Sequence, residues 1–378
     1  MPTRRRWGAA TLASRFAGTP SLWITSARFS HFGLNCSMPK RPRPLPPQLA
    51  SPAFLAADAR RLGITKHELG RQELLTPSRG IRAVSDLEPR EGSYPQFVRC
   101  VVAESVTGVA SHFTAAHLHG IPLPFRVRRQ WMSVGTQRTL VSPLDLVHIT
   151  VPPEHRAPRR RGTKGHASEL QPEEITEVGG IAVTSLARTI LDLAQYLSEV
   201  DLIVALDHLF SSGMRSLRLT KKARLPRQVL LKYLAKKRGT RGIRRLMAAI
   251  DRAVDGADSP PETKLRLALE DAGCPFFHAN MPIHDEHEQP VAWPDLANFD
   301  FKVCVEYEGA HHLTADQLHS DASRDMRVQM NGWLQIRLTK VDLRNMEIAV
   351  EKVKSALRKR GWTPFDDTPA AESARFPL

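Results

Sequence analysis

The stretch WPDLANFDFKVCVEYEGAHH, residues 293–312, decides how the C-terminal third of this chain is read. Val303, Val305 and Tyr307 alternate with Cys304, Glu306 and Glu308, the period of two that a β-strand imposes. The apolar set then faces a core, and Glu306 and Glu308 share the opposite face with Cys304. Asp295 follows Pro294 where the preceding strand is expected to end, and Glu306 lies eleven residues on, beside it. Three carboxylates thereby gather in one niche, just before Gly309 and two histidines.

Outward from that niche the pattern stays regular. In SPPETKLRLALEDAG, Ser259 is placed to cap a helix, Pro260 takes its first position and Glu262 stands three residues after the cap. Leu265, Leu267 and Leu269 supply its apolar surface, and Gly273 ends it. Two β-like stretches follow in HANMPIHDEHEQPVAWPDLA, with HDEHEQP as their turn. His284, Asp285, Glu286 and His287 have ligand chemistry, but an HxxH in a turn with no third ligand reads as a solvated hairpin loop. After the FKVCVEYEG strand come a helix in HLTADQLHSDASRDMRVQMNG, a strand in WLQIRLT and a helix in VDLRNMEIAVEKVKSALRKRG. The order α-β-β-β-α-β-α predicts a mixed sheet flanked by helices.

A carboxylate niche is unexpected in so basic a chain. The 378 residues carry a net charge of +15, and a surface of that sign attracts polyanions, nucleic acid first. Hard divalent cations select clustered carboxylate oxygens while keeping water and phosphate as further ligands. Asp295, Glu306 and Glu308 are therefore the expected metal ligands, and Mg²⁺ or Mn²⁺ the expected ion. A metal so held turns bound water into a nucleophile and offsets charge on a scissile phosphate.

The rest of the composition narrows the classes. Cys36, Cys100, Cys274 and Cys304 form no CxxC pair, which argues against a zinc ribbon or disulfide scaffold and for a reducing, cytoplasmic setting. No run approaches the ~18 apolar residues of a membrane span. Residues 1–57 hold eight Arg or Lys and no acid. Residues 1–50 read as a basic, proline-rich leader; Met38 is read as the natural start, with an organellar transit peptide as the competing reading.

After the linker KRPRPLPPQ, residues 51–85 suggest a short helix through Phe54, Leu55, Ala59 and Leu62 closed by Gly63. A second helix is expected from Thr65 through Leu69 with Glu68 as capping-box partner, then two short strands around Pro77–Gly80. That is a winged-helix pattern. Lys66, His67, Arg71, Arg79 and Arg82 are placed to meet phosphates, and equally to form a solvated face.

Residues 101–125 suggest another helix, whose His112, His117 and His119 read as packed or surface histidines because no Cys or carboxylate completes a ligand set. A strand at 146–153 leads into EHRAPRRRGTKGH, whose Arg156, Arg159, Arg160, Arg161 and Lys164 are either phosphate contacts or a solubilising loop. TSLARTILDLAQYL is an amphipathic helix, and KKARLPRQVLLKYLAKKRGTRGIRRL is helical and broken at Gly239 and Gly242.

Glu262, Pro294–Asp295, Glu306–Tyr307–Glu308–Gly309 and His312 resemble the PD-(D/E)XK nuclease superfamily, in particular its very-short-patch-repair (Vsr)-like endonuclease branch. Arg324–Asp325 and GWLQIRLT resemble the same branch, and the likeness covers about residues 256–362. It implies metal binding by Asp295 and Glu306, with Glu262 as an added acid or water-positioner. Position 308 departs from the superfamily, which places lysine there; the branch tends to have an acid, and this chain has Glu308. The lysine's role would pass to His312, Arg324 or Lys302, and Cys304 would face the site without a role. The winged-helix and middle regions resemble the AbiEi-type antitoxin domain of abortive-infection systems, which implies a partner protein in a toxin–antitoxin-like or defence system.

The expectation is an α+β multidomain protein: leader 1–50, winged helix 51–125, middle α+β domain 126–255, a restriction-endonuclease-like mixed sheet 256–363 and a flexible tail 364–378. Its expected activity is Mg²⁺-dependent hydrolysis of DNA. The alternative is a non-catalytic DNA-binding regulator or antitoxin with a degenerate nuclease domain.

Overall fold

Short hydrophobic runs separated by glycine and proline build several small sheets rather than one large one. The computed structural model describes residues 44–49, 51–71, 74–84, 93–105, 107–124, 146–216, 219–308 and 324–364. The expected leader up to residue 43, the tail from 365 and His312 lie outside the described residues. Leu45–Leu378 gathers into one compact unit, and the protein is a mixed α+β structure.

Strand β1 (Ala53–Leu55), helix α1 (Ala56–Arg61), strand β2 (Leu74–Leu75) and strand β3 (Ile81–Val84) come first. They form an antiparallel sheet in the order β1-β3-β2. Phe54 and Leu55 are thus strand residues, opposite Arg82 and Ile81, rather than the start of the helix. Gly63, at φ +83°, closes α1 in the left-handed conformation that glycine adopts without strain. The expected second helix is a single 3₁₀ turn, Glu68–Gly70. Its capping box is formed: the Thr65 N–H donates to Glu68 Oε2 (2.8 Å) and the Glu68 N–H to Thr65 Oγ1 (3.2 Å). Gly70 is a weak helix former, and Arg71 is already extended at φ −61°, ψ 150°, so the turn does not propagate. Leu49, Phe54, Ala59, Ile64, Leu69 and Leu74 close a small core beneath it.

Next come α2 (Ser93–Ala103), β4 (Val109–Ala110), α3 (His112–Leu118), β5 (Val147–Val151), β6 (Thr163–Ala167), β7 (Ile175–Val178) and β8 (Ile181–Thr184). The strands make a five-stranded sheet in the order β6-β5-β4-β8-β7. Pairs β5·β6 and β4·β8 are parallel, β4·β5 and β7·β8 antiparallel. The sheet draws strands from both sides of residue 125. The single helix expected over 101–125 is divided by β4, because Gly108 crosses tightly against its neighbours. A Cβ there would stand 2.5 Å from Ser105 Cβ and 2.9 Å from Ile149 Cγ2.

Helices α4 (Leu186–Leu193) and α5 (Glu199–Phe210), hairpin β9 (Gly213–Ser216) and β10 (Leu219–Lys221), and helices α6 (Arg227–Ala235) and α7 (Ile243–Arg252) complete this part. Ser185 and Ser198 cap α4 and α5. Fully buried Phe113, Ile149, Ile190, Leu202, Leu206 and Phe210 lie in a single core that runs from Ala53 to Leu267.

The C-terminal part holds α8 (Pro260–Asp271), β11 (His278–Ala279), β12 (Ile283–His284), β13 (Pro290–Ala292), β14 (Leu296–Asn298), β15 (Val303–Glu308), β16 (Leu334–Thr339), α9 (Lys340–Arg344) and α10 (Met346–Lys359). Residues 324–330 are helical as well. The sheet order is β11-β14-β15-β16, antiparallel between β14 and β15 and parallel between β15 and β16. Val303 and Val305 face Leu265, Leu269, Val353 and Leu357 of α8 and α10. Cys304 and Ala297 face Val328 and Trp333 on the other side. Helices therefore cover both faces of a mixed sheet. Among the described residues no helix is long and apolar enough to cross a membrane.

Candidate functional site

The β14·β15 ladder sets Leu296 opposite Val305. One antiparallel step beyond it, Asp295 falls opposite Glu306. Asp295 precedes β14 rather than closing the strand before it, and its carboxylate caps the neighbouring backbone: the Tyr307 N–H donates to Asp295 Oδ2 across 2.6 Å. Glu262 enters from the first turn of α8, where Ser259 caps the helix. Its Oε2 accepts from the Asp258 N–H (2.9 Å) and from Asn280 Nδ2 (2.7 Å). Asn280 also donates its backbone N–H to the Asp295 carbonyl (3.0 Å), so one residue ties the two acids together. It does so in the left-handed region, at φ +50°, which asparagine tolerates better than most residues.

Burial pushes the Asp295 carboxyl up to about 7, and the charges of Glu262 and Glu306 add to the rise. The Tyr307 N–H and Arg324 oppose it. Glu262 and Glu306 are also raised, burial first in both. Arg324 Nη2 donates to Glu306 Oε2 at 3.0 Å, bringing one cation to the acidic cluster.

Other expected residues sit elsewhere. Glu308 is exposed and held by Arg337 at 2.9 Å, and Arg337 is also closely paired with Asp325. No three of Glu262, Asp295, Glu306 and Glu308 bring their oxygens within 4.8 Å of one another among the described residues. The convergence read from period two holds for Asp295 and Glu306 but leaves Glu308 turned to its own arginine. Lys302 is exposed at the turn that opens β15, four residues and about 13 Å of strand from Glu306. Cys304 is buried against Ala297, Val328 and Trp333, and burial raises its thiol to about 12. It is a core residue.

The basic residues divide in the same way. Arg82 braces its own fold, donating to the carbonyls of Leu69 (3.0 Å) and Ile81 (3.1 Å). Arg71 pairs with Glu68 at 3.2 Å. Lys66, Arg79, Arg159 and Arg161 are exposed. Arg79, Arg156, Arg159 and Arg160 line one cleft of about 580 Å³, with Arg160 also 3.6 Å from Glu104. The turn before β3 and the basic loop after β5 thus line one cleft.

Sequence reasoning missed one cluster entirely. His112, His148 and His166 each place a ring nitrogen within 4.8 Å of the other two. The signal was hidden because they stand on three elements. His148 and His166 lie on the paired strands β5 and β6, and His112 opens α3. The turn 285–289 that joins β12 and β13 is closed locally instead, with Asp285 Oδ1 accepting the His287 and Gln289 N–H groups (2.8 Å each).

Two uncharacterized proteins of Mycobacterium tuberculosis, one in each of two strains, are 26% identical to this chain over 175 residues. The aligned region is 45% of this chain and 59% of each relative, so the chain spans somewhat over half the length of the relatives it matches. No family model matches the chain, and no solved structure matches it.

Proposed function

We propose that residues 256–363 form a restriction-endonuclease-like domain that hydrolyses phosphodiester bonds in DNA with Mg²⁺ or Mn²⁺, behind an N-terminal winged-helix, antitoxin-like module that binds DNA. One observation carries the reading. Asp295 is a half-buried carboxyl facing two further carboxylates, and its raised protonation range is relieved when a cation enters. Hard oxygen donors from Asp295 and Glu306 suit Mg²⁺, which holds few protein ligands and keeps several waters; Glu308 falls outside the set. Such an ion, when bound, activates water and offsets charge on the scissile phosphate. Glu262, fixed by Asp258 and Asn280, is placed to orient a water or take its proton. Arg324 supplies the positive charge that a lysine at 308 would have supplied to the leaving phosphate. Exposed Lys66, Arg79, Arg159 and Arg161 offset the repulsion between DNA and the acidic pocket.

The test is conversion of supercoiled plasmid in Mg²⁺ or Mn²⁺ by the full chain, beside Asp295→Asn. Nicking that depends on Asp295 supports the proposal, and nicking that survives the substitution removes it.

A second reading is favoured by Arg324 on Glu306 and Arg337 on Glu308. Both glutamates of β15 already carry a cation, as they would in a silent site of a DNA-binding regulator or antitoxin, acting in the cytoplasm with a partner protein. It predicts salt-sensitive DNA binding without cleavage in any divalent metal; several turnovers per molecule would end it.

A further inference from the structure

Three imidazoles on separate elements meet a buried acid in the central core. His112 and His148 are buried and His166 is half-buried. His148 Nδ1 lies 2.9 Å from His166 Nε2, and the His112 and His166 rings stack at 3.7 Å. Asp192 reaches the cluster from α4. Its Oδ1 accepts from Arg188 Nε (2.9 Å), while its Oδ2 is buried with no hydrogen-bond partner, 3.7 Å from His112 Nδ1. A buried carboxylate oxygen without a partner is costly and asks for an explanation.

We propose that His112, His148 and His166, with the Asp192 carboxylate beside His112, form a buried site for one zinc-class divalent transition metal. Nothing in this inference depends on the acidic pocket of the C-terminal sheet.

Three kinds of observation support it. The donor set is three imidazoles and one carboxylate, the nitrogen-rich chemistry that zinc and its first-row neighbours select over magnesium. Two of the imidazoles are held neutral: burial drives His112 down to about 2 and His166 to about 4, and neighbouring positive charge reinforces both. The surroundings are also fixed as ligand sites require. Ser111 Oγ sits 3.0 Å from His112 Nδ1 and accepts from Thr150 Oγ1 (2.8 Å). Arg188 is anchored by Ser168 (2.9 Å) and Glu174 (3.4 Å) besides Asp192, so its charge is offset within the network. In a tetrahedral zinc site ligand nitrogens stand about 3.3 Å apart, since each lies ~2.0 Å from the metal. The His148–His166 pair at 2.9 Å therefore opens only slightly. His112, at φ +51°, is held in a left-handed conformation that disfavours most side chains. Its ring lies face to face on His166, so sharing one ion requires the His112 ring to turn about its side-chain torsions.

The plain alternative is a hydrogen-bonded histidine cluster that only packs, and one experiment separates the two. Metal-stripped full-length protein carrying Asp295→Asn, which removes uptake at the acidic pocket, is titrated with Co²⁺ and then Zn²⁺. The expected result is one equivalent of Co²⁺ per chain, with the visible absorption of a four- or five-coordinate nitrogen-rich site, displaced by equimolar Zn²⁺. Two further variants are made in the same background. His112→Asn keeps a residue that accepts positive φ, and His166→Gln changes the half-buried member, the one whose loss disturbs packing least. Each should weaken uptake at least about tenfold with unchanged circular dichroism, and His166→Gln carries the test if His112→Asn does not fold. Absence of stoichiometric uptake by the parent, an octahedral spectrum, or equal uptake by parent and His166→Gln would overturn the proposal.

Discussion

Asp295 accepts the backbone N–H of Tyr307 across 2.6 Å, so an acid just before one strand fixes the backbone of the next between Glu306 and Glu308. That bond holds the carboxylate in place, and the adjacent acids and burial make its charge costly. The opposition between placement and charge has measurable consequences.

The first concerns pH. Burial raises Asp295 from 3.8 to about 7, so the fold prefers the protonated acid. This contribution to stability is fully present below about pH 4 and is lost as pH rises toward 7. Thermal melts at pH 5 and pH 8 should show Asp295→Asn gaining on the parent at the higher pH. Added Mg²⁺ should narrow that gap at pH 8. A gap that does not change with pH would contradict the assignment.

Glu262 is the second-largest influence on Asp295, after burial. Glu262→Gln retains an oxygen for Asn280 and Asp258 but removes the charge. The Asp295 carboxyl should then titrate at lower pH, as followed by carbon-13 NMR of that group. An unchanged midpoint would assign the rise to burial and Glu306 alone.

The basic residues of the N-terminal region should separate into two classes. Arg82→Ala removes hydrogen bonds to Leu69 and Ile81 and should cost about 1–2 kcal/mol in urea denaturation. Lys66→Ala and Arg79→Ala should leave stability within about 0.5 kcal/mol. If the module binds DNA, each should lower affinity evenly across sequences and reduce the salt slope by about one.

Gly108→Ala tests the crossing that divides α2 from α3. A methyl there meets Ser105 Cβ at 2.5 Å and Ile149 Cγ2 at 2.9 Å. Both neighbours are packed, so the loss should be about 1–3 kcal/mol, read from the denaturation midpoint. A neutral result would mean that the β4 segment can shift outward.

The two β-like stretches expected before residue 303 are four short strands, β11 to β14, whereas sequence periodicity by itself determined the strand 303–308, the cap at Ser259 and the pairing of Asp295 with Glu306. Each of these follows from nearest-neighbour geometry, a period of two or a capping residue, which a linear pattern records. The same pattern placed Glu308 and Cys304 on the acidic face. Only the tertiary structure turned Glu308 to Arg337 and buried Cys304 against Trp333. Their partners come from β16 and from residues just before it, about thirty positions away, beyond the reach of periodicity. Tertiary packing also decided where β4 interrupts a helical pattern, because a close crossing at Gly108 outweighs local propensity. The histidine cluster is the clearest such case. His112, His148 and His166 carry no common spacing in the chain, and they meet because β5 pairs with β6 while α3 packs on β5.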